Sequence, residues 1–145
     1  MKRILLFITL ILGIFLFGSC KKGDTDVTYY LGFYSSAGYV NGSQSDVIKQ
    51  MVGDAVESWK KDYVFHWDAD PGRSLTEQDA EAVRYMEEAH ASFSAMTVKL
   101  KNRILLVNPD VVLTLEWTFE AIRDDGNARR LSTRKVTILN GNQNY

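Results

Sequence analysis

The sequence predicts an α+β domain in which two helices pack on one face of an antiparallel sheet that ends in a long C-terminal β-hairpin. Three observations carry this. The stretch "VVLTLEWTFEAI" alternates apolar and polar residues with the period of a strand that buries one face. Two segments, at about 44–62 and from about residue 74 onward, repeat apolar residues at the spacing of one helix face. "DDGN" then joins the alternating strand to a second one, and Asp-Gly is a strong hairpin signal.

Taken in order, "VTYYLGFYSS" (27–36) is the first strand, since aromatic and β-branched residues suit a pleated surface. Tyr29, Leu31 and Phe33 share one side of it, and Tyr30 and Tyr34 the other. "AGYVNGSQ" is loop. The first helix is expected over 44–62, started by a weak capping box of Ser43 and Asp46, with Val47, Ile48, Met51, Val52, Ala55, Val56, Trp59 and Tyr63 on its buried side. Val64 to Trp67 reads as a short strand, of which either His66 or Trp67 faces the core. Asp68, Asp70, Pro71 and Gly72 turn the chain.

The second helix is capped by Ser74 with Glu77, or by Thr76 with Asp79, and runs at least to Ser94. Its buried stripe is Ala80, Val83, Met86, Ala89, His90, Phe93 and either Met96 or Thr97. Residues 96–108 fit a helix end or a strand equally. In the C-terminal hairpin, Val111, Leu113, Leu115, Trp117, Phe119 and Ala121 face inward. A turn at Asp125 and Gly126 sets Leu115 against Val136, Leu113 against Ile138, Glu116 against Lys135, Thr118 against Thr133 and Trp117 against Arg134. Residues 27–145 are therefore one domain.

Chemistry-bearing motifs are sparse. The single cysteine, Cys20, closes no intramolecular disulfide, and no nucleophile elbow, phosphate loop or dinucleotide fingerprint occurs. His66 and His90 do not have zinc-ligand spacing, and no cofactor is expected. Asp68, Asp70, Ser74, Thr76 and Asp79 occupy positions 1, 3, 7, 9 and 12 of a calcium-loop pattern. Gly72 stands where that pattern wants a ligand and Arg73 where it wants glycine, so the turn reads as structural. Arg73 is expected to pair with Asp70 or Glu77 rather than to border a metal. The remaining candidate surface is aromatic: Tyr30, Tyr34 and Tyr39 can stack on a sugar or grip a protein.

The N-terminus is more specific. Lys2 and Arg3 precede an apolar run from Ile4 to Phe17, then Gly18 and Ser19, then Cys20 and the polar "KKGDTD". This is the layout of a secretory signal, and the run is short for a membrane-spanning helix. Phe17-Gly18-Ser19-Cys20 resembles the lipobox of bacterial lipoproteins, with Phe17 in place of the usual leucine. The resemblance covers residues 1–20 only. It implies removal of a signal peptide, 1–19, and acylation of Cys20, which then anchors the chain in membrane lipid through a tether, 20–26. Several acyl chains on one residue give a firm anchor where one alone is marginal.

Loss of Lys2 and Arg3 with that peptide takes the formal charge from −1 to about −3, which argues against a nucleic-acid partner. Together these readings describe an envelope lipoprotein facing outside the cytoplasm, periplasmic or at the cell surface. It is expected to be a non-enzymatic binding or accessory module with a protein or glycan partner. The alternative is a small hydrolase of an envelope or extracellular polymer with His66, Asp68 and Asp70 as its polar centre.

Overall fold

The computed structural model describes residues 27–39, 45–125 and 129–140; the side chains of 39 and 129–140 lie outside that description. Cys20, the turn residue Gly126 and the side chain of Tyr39 are therefore outside it. The elements are β1 (Thr28–Tyr39), α1 (Ser45–Lys60), β2 (His66–Asp68), α2 (Leu75–Val107), β3 (Val112–Arg123) and β4 (Arg129–Asn140). The four strands form one antiparallel sheet in the order β2-β1-β3-β4. Both helices lie on one face, so the domain is α+β. No helix among the described residues is long and apolar enough to cross a membrane.

Strand alternation places the core. Tyr29 and Leu31 of β1 and Leu113, Leu115, Trp117, Phe119 and Ala121 of β3 are buried on the helix side, with Val111 just before β3. Ile48, Val52, Val56 and Trp59 cover them from α1, and Met86, Ala89, Phe93, Leu100 and Ile104 from α2. Half-buried Phe33 packs against this core, with ring centroids 5.0 Å from Trp59, 5.1 Å from Phe93 and 5.0 Å from Phe119. The indole N–H groups of Trp59 and Trp117 are buried without a hydrogen-bond partner among the described residues, so apolar packing rather than hydrogen bonding holds these rings.

Several expectations are corrected. Val47, assigned to the buried side of α1, is exposed, because Ile48 and Val52 set the phase of the stripe. Tyr63 lies beyond the helix end, stacked on Trp59 at 4.6 Å. The ambiguous segment 96–108 is helix as far as Val107, which makes α2 33 residues long. Phe93, Thr97, Leu100 and Ile104 continue one face at spacings of four, three and four, whereas Val98 is exposed. Ala80 is also exposed, and Ala82 takes its place in the stripe. The Ser74–Glu77 pair forms the capping box: the Glu77 N–H donates to Ser74 Oγ, and the Ser74 N–H donates to the Glu77 carboxylate. The Ser74 hydroxyl also donates to the Glu77 carboxylate at 2.7 Å, and this bond, followed by that from the Ser74 N–H, holds the Glu77 carboxyl below its ordinary range.

In the hairpin, Leu115 pairs with Val136, Glu116 with Lys135, Trp117 with Arg134 and Thr118 with Thr133, as the register requires. Leu113, however, meets Leu139 instead of Ile138, and Ala121 meets Arg129, because an irregularity interrupts the ladder at each end. Near the turn the ladder is thus one residue out of step with a two-residue Asp125–Gly126 connection.

Candidate functional site

The helices leave the other face of the sheet uncovered. Its rows follow from strand register: His66 beside Tyr30 beside Ile122, then Gly32 beside Glu120, then Tyr34 beside Thr118. Tyr30 is 42% exposed and Tyr34 64%. Between the two tyrosines Gly32 makes a gap. A Cβ there would meet Glu120 Cβ and Ile122 Cδ1, each at 3.2 Å, so any larger residue would press on these two side chains and require them to give by a few tenths of an ångström. The gap opens a shallow shelf of about 400 Å³ lined by Gly32, Phe33, Tyr34, Thr118 and Glu120. Two aromatic faces flanking a notch with a carboxylate at its edge suit stacking and hydrogen bonding to an extended ligand.

The residues proposed as a hydrolytic centre do not converge. His66 and Asp68 point to this same open face because they are two apart on β2, and both are exposed. Trp67, between them, turns inward and stacks on Tyr29 at 5.8 Å. Asp68 Oδ1 accepts a bond from Thr28 Oγ1 (3.2 Å). Asp70 belongs to the turn: its Oδ1 accepts from the Gly72 N–H at 2.9 Å, and its carbonyl from the buried Gln78 amide. Arg73 pairs with Glu81, not with Asp70 or Glu77, because Glu81 lies one turn further along α2 and faces back over the loop. His90 is half-buried beside Trp117 and Phe119, with ring centroids at 6.3 and 5.6 Å.

Two features escape the sequence reading. On the helix side, Val64, Trp67, Glu81, Arg84, Tyr85 and Glu88 line a cavity of about 300 Å³. Trp67 and Tyr85 meet edge to face at 5.4 Å there, and the Tyr85 hydroxyl accepts from the Val64 N–H. The second is a cluster at the mouth of the core. Arg123 Nη1 lies 3.0 and 2.9 Å from the two Asp79 oxygens, and its Nη2 lies 2.7 Å from Asp125 Oδ2. Tyr29 donates its hydroxyl proton to Asp79 Oδ1 at 3.0 Å. Burial, followed by the Asp79 bond, pushes the Tyr29 hydroxyl above its ordinary pKa; the Asp125 bond leads in raising that of the guanidinium. This cluster ties α2 to β1 and to the end of β3. A signal for it was available, since extending the inward set of β3 by two residues from Ala121 reaches Arg123.

Comparison of the chain with protein families, with characterised proteins and with solved structures finds no match.

Proposed function

We propose that this chain is a membrane-anchored envelope lipoprotein whose domain is a non-enzymatic binding or accessory module, meeting a protein or glycan partner with the uncovered face of its sheet. The observation that carries this reading is the row of Tyr30, Gly32 and Tyr34: two exposed aromatics flank a glycine notch on a face that neither helix covers. Exposed aromatic surface of this kind suits recognition. The hydrolase alternative has less support. It needs polar groups converging on an enclosed space, whereas His66 and Asp68 lie on an open face and the Asp70 carboxylate is engaged within its own turn. The acylated Cys20 of this proposal holds the domain at the lipid surface.

The test is photo-cross-linking in the native envelope. A photoreactive amino acid replacing Tyr34 should give one or a few discrete adducts, and the same group at Glu87, exposed on α2, should not. Equal or absent adducts at both positions contradict the assignment of the face.

A further inference from the structure

β1 changes character along its length. Over Thr28–Tyr30 it is an interior strand, flanked by β2 and β3; beyond Leu31 only β3 lies beside it among the described residues. Two bonds fix which way its backbone groups point on the open side. The Leu31 N–H donates to the Phe65 carbonyl (3.0 Å) and the Val27 carbonyl accepts from Ala69 (2.8 Å), so the odd-numbered residues present their N–H and C=O toward β2. Thr28, an even residue, accepts instead from Asp124 on the β3 side. The same alternation turns the N–H and C=O of Phe33, Ser35, Ala37 and Tyr39 outward along an edge where no strand among the described residues receives them.

Natural sheets guard such edges with charge, proline, bulges or brevity. The other two edges here are guarded: β2 is three residues long, and β4 carries Arg129, Arg130, Arg134 and Lys135. The stretch "FYSSAGY" has no charge and no proline, and its ladder with β3 is regular from Tyr29 to Tyr39. It is also a good partner for itself. In antiparallel pairing about a two-fold axis at Ser36, every outward residue finds a mate: Phe33 meets Tyr39 of the second copy, and Ser35 meets Ala37. About eight backbone hydrogen bonds result. On the open face Tyr34 falls opposite Gly38 of the second copy, an aromatic-over-glycine arrangement that favours edge pairing. No like charges oppose one another, whereas two β4 edges would set cations against cations. The pairing closes on itself, so it stops at two.

We propose that two copies of this chain associate through the 33–39 edge of β1, joining their sheets into one continuous sheet. The bonds run along the edge of β1. Tyr34 then covers Gly38 of the second copy, while Tyr30 stays clear of it. In the photo-cross-linking test a self-adduct at Tyr34 therefore reports this association, and an adduct with a different molecule reports the partner proposed above.

The experiment uses the full chain in detergent with Cys20→Ser as background, which leaves a single engineered thiol and makes the result independent of lipidation. Ser36 lies on the axis as a non-hydrogen-bonded pair, where Cα atoms stand about 4.5 Å apart and a disulfide fits. Mild oxidation of Ser36→Cys should convert most of the protein to a covalent dimer, at least about tenfold more than Glu87→Cys on α2. Ala37→Lys, which sets a charge on the edge at an exposed position, should reduce that yield about tenfold. Light scattering should give twice the protein mass without Ala37→Lys, and the single mass with it. A monomer without Ala37→Lys, a mass above two copies, or a dimer in which Ser36→Cys cross-links no better than Glu87→Cys overturns the proposal.

Discussion

Replacing Arg123 by methionine keeps the length of the side chain and removes its charge. What remains is Asp79, 19% exposed, and Asp125, 31% exposed, with no cation between them. Removing one member of a fully buried pair costs about 3–5 kcal/mol, chiefly by stranding the other charge. These carboxylates retain some water, which places the cost at the low end, about 2–3 kcal/mol. For a domain of this size that corresponds to a fall of about 8–12 °C in melting temperature. Asp79→Leu removes the acceptor of Tyr29 as well as one carboxylate, but leaves Arg123 paired with Asp125, so it should cost about 2 kcal/mol. The double variant should cost less than the sum by about 1–2 kcal/mol, since the second change removes a charge the first had stranded. The assay is denaturant unfolding of the chain in detergent, followed by tryptophan fluorescence. Single costs below about 0.5 kcal/mol, or strictly additive ones, would refute the view that this cluster locks α2 to the sheet.

Phe93→Ala removes a fully buried ring packed 5.2 Å from Trp117 and 5.0 Å from Trp59, and should cost about 3–5 kcal/mol in the same assay. Ser74→Ala should cost about 1 kcal/mol by removing the N-cap of α2. It should also change the acid limb of the stability curve. The Glu77 carboxyl is held below 4.5 in the folded chain, so its contribution is present above that pH and is lost as pH falls through the folded value; Ser74→Ala should flatten that loss in an acid titration of melting temperature. Tyr29 acts in the opposite sense. Its folded pKa lies above 10, so stability should decline as pH rises beyond 10, and Tyr29→Phe should remove that decline in alkaline melts.

Where the pattern was regular and local, the sequence was legible. The inward set of β3 was readable at every position from Val111 to Ala121, because a strand that buries one face leaves no freedom of phase. Segment 96–108 was not, since Val98 and Leu100 mimic strand alternation and only the covering sheet decides for helix. The bulges of the hairpin were invisible, because they depend on how two strands twist around one core. At the candidate face, the exposure of Tyr30 and Tyr34 was readable from alternation. Neither the tight contact at Gly32 nor the meeting of Trp67 with Tyr85 was, for both join residues far apart in sequence.

The proposed function depends first on the anchor. Cys20→Ser offers no thiol to acylate, so detergent phase partitioning of the natural chain and the variant, both expressed in a bacterial envelope, tests it directly. The account predicts the natural chain in the detergent phase, with the mass at its new N-terminus raised by the acyl chains and residues 1–19 absent. The variant should lack those acyl groups. A natural chain in the aqueous phase, or one carrying a free thiol at Cys20, would contradict it.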